Sequence, residues 1–84
     1  MAESNPKELV LLGIKSYEKQ DFSKAKGYSE KACDLNNGGE CSNLGVLYYN
    51  GQGVEKDLTK AAYFYSKACK LGNQKACEVL KELR

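Results

Sequence analysis

The sequence predicts an all-α fold of antiparallel helix-turn-helix units, and three observations carry that prediction. The chain matches itself at a shift of 36 residues. Its apolar residues recur at helical spacing between capping residues and glycines. Its four cysteines fall where one helix is expected to end and the next to begin. The self-match comes first, because a fixed period decides how each local segment is read. It pairs Asp21 with Asp57, Lys24 with Lys60, Ala25 with Ala61, Lys31 with Lys67, Ala32 with Ala68 and Cys33 with Cys69. It continues through Leu35 and Leu71, Asn37 and Asn73, Cys41 and Cys77, Leu44 and Leu80, and Leu47 and Leu83.

Asn5 followed by Pro6 reads as an N-cap and a first helical position, where proline's missing N–H costs nothing. Val10, Ile14 and Tyr17 follow at helical spacing, so a first helix runs to about Gln20. Asp21 caps a second, Phe22 to about Leu35, with Phe22, Ala25, Tyr28, Ala32 and Leu35 along one side. "NNGG" ends it, since asparagine and glycine accept the left-handed conformation. A third helix is expected from about Glu40 to Tyr49, followed by a loop made by the glycines of "NGQGVEKD". Asp57 caps a fourth helix to about Leu71, Gly72 stops it, and Gln74 to Leu83 forms a fifth.

Gly13 and Gly45 stand inside helical patterns, where glycine costs about 1 kcal/mol relative to alanine. Close approach of a partner helix is the expected compensation. Aligning on these glycines sets Leu9 against Cys41, Leu12 against Leu44 and Ser16 against Tyr48, so the first pair is a cysteine-free variant of the second. The last helix has Lys81 in place of the glycine. The expected organisation is one domain over 1–84, with an N-terminal capping repeat at about 5–38, a central repeat at about 39–72 and a C-terminal capping helix at about 73–84.

With 84 residues, 42% hydrophobic and 29% charged, the chain has a modest core that covalent staples would help. The formal charge of +2, from 13 basic and 11 acidic residues spread along the chain, makes no concentrated basic field for nucleic acid. No apolar run approaches the roughly 20 residues of a membrane span. The stretch "MAESNPKE" lacks the apolar core of a secretory signal. The expected partners therefore include neither nucleic acid nor membrane, and the chain as given carries no signal peptide.

The first cysteine of each repeat lies near the end of one helix and the second near the start of the next. A tight helical hairpin would bring Cys33 to Cys41 and Cys69 to Cys77, which makes neighbour pairing the expected one of three connectivities. Each bond would close a loop of about nine residues, worth roughly 2.6 kcal/mol in the chain-entropy model. Zinc and free thiols are the alternatives. Zinc sites usually set two cysteines two to four residues apart, and the chain has no histidine. Disulfides would imply an oxidising compartment. No metal or cofactor is expected.

The stretch "NLGVLYYNGQGVEKDLTKAAYFYSKACKLGNQKAC", Asn43 to Cys77, resembles a Sel-one-like repeat, a relative of the tetratricopeptide repeat. Leu44, Gly45 and Tyr48, then Gly51, Gly53 and Val54, then Asp57, Lys60 and Ala61, then Tyr65, Ala68 and Cys69 carry the likeness. The cysteine pair eight apart is similar to the Helicobacter cysteine-rich protein subfamily. Gly27 opposite Tyr63 and Ser29 opposite Tyr65 depart from the pattern and imply looser packing of the first repeat. The resemblance implies a short right-handed α-solenoid, secreted or periplasmic, monomeric, and excised or engineered from a longer array.

It also implies a non-catalytic scaffold whose inner surface, built from the first helix of each pair, grips a protein or peptide. The expected partner-binding residues are Val10, Ile14, Tyr17, Ser42, Asn43, Val46, Tyr49 and Asn50, with Leu11, Glu18, Glu78, Val79 and Glu82 alongside. Burial of several of them between helices is the alternative. Of the six tyrosines, Tyr48 and Tyr65 match packing positions, Tyr28 and Tyr63 would cover hairpin surfaces, and Tyr17 and Tyr49 face the partner. The resemblance carries a second implication, penicillin binding or weak β-lactamase activity. Ser4 with Lys7, Ser16 with Lys19 and Ser23 with Lys26 have the serine-to-lysine spacing of such enzymes, but neither "SDN" nor "KTG" occurs and no catalytic residue is assigned. A stability scaffold without a natural partner is the remaining alternative.

Overall fold

The computed structural model describes residues 6–83. Five helices follow in order: α1 (Pro6–Glu18), α2 (Phe22–Asp34), α3 (Gly38–Asn50), α4 (Leu58–Lys70) and α5 (Gln74–Leu83). Each packs on the helix before and the helix after it, giving a short all-α solenoid with extents of 40 × 25 × 17 Å. The Asn5 cap and Ser4 expected above lie outside the described residues.

Local hydrogen bonding sets the helix ends. Asp21, Asn37, Asp57 and Asn73 each accept from the backbone N–H three residues on, through a side-chain oxygen, satisfying a donor that the first helical turn leaves unpaired. Both α2 and α4 end on the same device 36 residues apart. Asn36 (φ 67°) and Gly72 (φ 99°) turn left-handed, and the N–H groups of Asn37 and Asn73 reach back to the carbonyls of Ala32 and Ala68 at 3.1 and 3.0 Å.

Two boundaries differ from the sequence expectation: α1 ends at Glu18 rather than about Gln20, which is itself left-handed (φ 61°), and the start of α3 is shifted. The third helix starts at Gly38 rather than about Glu40. Asn36 alone supplies the left-handed turn and Asn37 is already the next N-cap, so both glycines are helical. A Cβ at position 38 would stand 3.2 Å from that of Leu71, so the glycine lets the end of α4 lie against the start of α3.

The core is built from Leu9 and Ala25, then Ala32, Cys33, Cys41, Leu44, Leu47 and Tyr48, then Ala61, Tyr65, Ala68, Ala76 and Leu80. Gly45 is buried in it because a Cβ there would come within 3.0–3.1 Å of the Tyr65 ring; Gly13 is looser, its nearest neighbour being the Tyr28 Cβ at 3.5 Å. Disulfides join Cys33 to Cys41 and Cys69 to Cys77, with Cα–Cα distances of 4.6 and 4.7 Å. Each ties the second helix of one pair to the first helix of the next.

Two side chains leave the faces expected of them. Tyr63 is 63% exposed, its ring edge-on to that of Phe64 at 5.1 Å. Leu35 is 47% exposed, because it is the C-cap of α2 and has already left the helical stripe. Tyr48 and Tyr65 fill the core as expected.

Candidate functional site

Helices α1, α3 and α5 share one side of the solenoid and form a groove there. A cavity of about 430 Å³ opens between α1 and α3, walled by Ile14, Tyr17, Glu18, Asn43 and Val46 and floored by Ala25 and Ser29 of α2. A second, of about 500 Å³, opens between α3 and α5, walled by Tyr49, Asn50, Val79, Glu82 and Leu83 and floored by Tyr65 of α4. Val46 lines both, so the two cavities adjoin at that side chain. Ile14, Tyr17 and Tyr49 are exposed along it. Val10 and Ser42, also expected at the partner surface, are half-buried and line neither cavity.

The groove wall is held in place locally. The Tyr17 hydroxyl donates to Gln52 Oε1 at 3.3 Å, and its ring meets Phe22 edge-on at 5.2 Å. Lys56 Nζ stands 6.0 Å from the centre of the Tyr49 ring, a weak cation–π contact at this exposure.

The two cavity floors differ, and sequence reasoning missed the residue responsible. Glu40 is 5% exposed. It accepts from Ser29 Oγ at 3.0 Å and from Asn43 Nδ2 at 3.1 Å, one bond to each carboxylate oxygen. Burial pushes its carboxyl above the ordinary value of 4.5, and the two hydrogen bonds oppose that shift. Counted 36 residues on, Ser29, Glu40 and Asn43 become Tyr65, Ala76 and Val79. A polar triad in the first repeat thus replaces an apolar triad in the second. The carboxylate of Glu40 lies 3.6 Å from where a Cβ on Gly13 would be, taking the room that the Tyr65 ring takes beside Gly45. The repeat-to-repeat comparison held this signal: Ser29 opposite Tyr65 was visible, and the compensating Glu40 opposite Ala76 was the other half of it.

Other sequence candidates fare differently. All four cysteine sulfur atoms are in disulfides, which leaves no thiolate for a metal. Ser16 is buried on α1. Lys26, three residues after Ser23, is paired with Glu30 at 3.3 Å.

A family model described as Sel1 repeat matches residues 10–37 and 41–73. Among curated proteins, the chain is 67% identical over 58 residues to HcpC of Helicobacter pylori strain J99, covering 69% of this chain and 20% of that protein. It is 57% identical over 58 residues to the same strain's "Beta-lactamase HcpA", covering 69% of this chain and 23% of that protein. The chain therefore spans about a fifth of the length of these relatives. Among solved structures, Helicobacter pylori cysteine rich protein B superposes with a TM-score of 0.81 at 38% identity, covering 89% of this chain and 59% of that chain.

Proposed function

The chain belongs to the Sel1 repeat family, whose members serve as interaction scaffolds, and from that premise we propose that its groove captures an extended peptide segment of a protein partner without catalysing a reaction. The single observation that supports this most is that two cavities adjoin at Val46, with Ile14, Tyr17 and Tyr49 exposed along them. Exposed aromatic and branched side chains with amides at the rim are the composition of a contact surface. Asn43 and Asn50, two helical turns apart on α3, are suited to hydrogen-bond a peptide backbone. The partner-binding set proposed for the groove is Ile14, Tyr17, Asn43, Val46, Tyr49 and Asn50, with Val10 and Ser42 at its margin.

Two disulfides and the Helicobacter relatives favour a location outside the cytoplasm, and we read the chain as working in the periplasm or after secretion. No helix among the described residues is long and apolar enough to cross a membrane. The scaffold is proposed to act as a monomer.

The test is capture from a displayed library of random decapeptides, followed by titration of selected peptides against Val46→Asp and Tyr49→Ala. Both variants are expected to weaken capture while the melting temperature stays within a few degrees of the parent. A library that yields no binder, or variants that lose their fold rather than their affinity, would count against the groove.

A further inference from the structure

Resting on the reading of the groove as a peptide site, we propose that its α1–α3 cavity takes a cationic side chain, lysine or arginine, of the captured peptide.

Hydrogen-bonding capacity is the first reason. Ser29 and Asn43 each commit a donor to Glu40. A carboxylate can only accept, so it fixes the Asn43 amide with its nitrogen inward. What Ser29 and Asn43 have left for the α1–α3 cavity is mainly acceptors, the hydroxyl lone pairs and the Asn43 carbonyl oxygen. A donor-only group, guanidinium or ammonium, complements such a floor, whereas a carboxylate would face acceptors without a proton to share.

Charge is the second reason. The formal charge of the chain is +2, yet the charged side chains lining the two cavities are Glu18 and Glu82, and no lysine lines either. Neither glutamate is ion-paired among the described residues. Glu18 stands at the wall of the α1–α3 cavity, so a cation entering there meets an exposed carboxylate beside the Ser29 and Asn43 acceptors. Its methylene stem would lie along Ile14, Tyr17 and Val46, as long cationic side chains do on apolar surfaces.

Under the α3–α5 cavity Tyr65 and Val79 stand where Ser29 and Asn43 stand in the first, so that floor lacks the Ser29 and Asn43 acceptors, while Glu82 lies at its wall.

The experiment uses the full chain with both disulfides intact. Sequences recovered from the decapeptide library are expected to be enriched in arginine or lysine. In the tightest of them, replacing the arginine by citrulline, which keeps the shape and removes the charge, should weaken binding about two- to fivefold, more at low salt than at high. Glu18→Gln should reduce the difference between the arginine and citrulline peptides. Enrichment of acidic or uncharged peptides, or equal affinity for the arginine and citrulline forms, would overturn the assignment of the α1–α3 cavity while leaving the groove in place. Recovery of no peptide at all would overturn the groove and this inference with it. Melting curves of Glu18→Gln separate a binding effect from loss of fold.

Discussion

At the scale of single residues, the two helical glycines that align between repeats have opposite prospects. Alanine at either position gains about 1 kcal/mol of helix propensity. At Gly45 the new Cβ would sit 3.0–3.1 Å from the ring of Tyr65, which is 4% exposed and has little room to yield. Overpacking of that kind costs about 1–3 kcal/mol. Gly45→Ala is therefore expected to lower the melting temperature, and Gly13→Ala, whose nearest contact is 3.5 Å, to raise it or leave it unchanged. Thermal melting of the two variants side by side decides the matter; the same sign at both would refute the packing argument.

Glu40 offers a second residue-scale prediction. Its folded-state carboxyl titrates above the ordinary value of 4.5, so between those two pH values the folded chain holds a proton that the unfolded chain has released. Stability must then fall as pH rises through the window and level off above it. Glu40→Gln removes the ionisable group and keeps an acceptor for Ser29, while Asn43 turns its amide to offer oxygen. Urea unfolding from pH 4.5 upward should show a flatter profile for the variant and a gain over the parent at neutral pH. A gain of the variant over the parent that shrinks as pH rises would contradict the sign. The repeat-to-repeat exchange is testable in the same way. Ser29→Tyr and Glu40→Ala should each destabilise, and the double variant, which rebuilds the Tyr65 and Ala76 arrangement over Gly13, should be more stable than the sum implies by about 0.5–3 kcal/mol. Strict additivity would mean that the two repeats do not solve one packing problem in two ways.

Among the elements, the caps do most to fix where each helix begins. Asp57 leaves the extended loop with φ −150° and ψ 101° and takes the Lys60 N–H at 3.0 Å. Asp57→Ala is expected to cost about 1 kcal/mol, read as a shift in the urea midpoint with unchanged slope. These features were legible in the sequence because they are local: Asp21, Asp57 and Gly72 announce their roles within a few residues, and the 36-residue period checks each against its twin. The start of α3 was legible only in part. Two glycines after two asparagines read as a break, whereas the turn needs Asn36 alone and the contact that makes use of Gly38 comes from Leu71, far along the chain. The groove was legible as a set of helical positions but not as a shape. Periodicity places Ile14, Tyr17, Val46 and Tyr49 on faces of their own helices; how α1, α3 and α5 are rotated against one another depends on core contacts such as Tyr65 on Gly45. For the same reason Val10 and Ser42 fall beside the cavities, and the burial of Glu40, which needs Ser29 from the preceding helix, left no trace in its immediate neighbours.

For the whole molecule, the positions of the disulfides decide how it comes apart. A solenoid is held by contacts between neighbours, so each junction contributes separately to cooperativity. The Cys33–Cys41 bond spans α2 and α3, the main junction between the first helix pair and everything after it. The Cys69–Cys77 bond spans α4 and α5, where the last helix packs chiefly on one neighbour. In the chain-entropy model each is worth roughly 2.6 kcal/mol, so losing both matches the low end of a typical domain stability of about 5–15 kcal/mol. Losing one should have a different outcome at each site. Replacing Cys69 and Cys77 by alanine is expected to release α5: amide exchange over residues 74–83 becomes fast while α1 to α4 keep their protection. Replacing Cys33 and Cys41, buried at 1% and 0% exposure, removes the staple at the central junction, so unfolding should separate into two steps, one for α1 and α2 and one for the remainder. Because the α1–α3 cavity crosses that junction and the α3–α5 cavity does not, capture of peptides through the first cavity should weaken more in this variant than in the other. Hydrogen exchange followed by mass spectrometry, run beside calorimetry, measures both; identical exchange patterns and a single transition in the two variants would show that the staples act only on the unfolded chain and not on how the array is coupled.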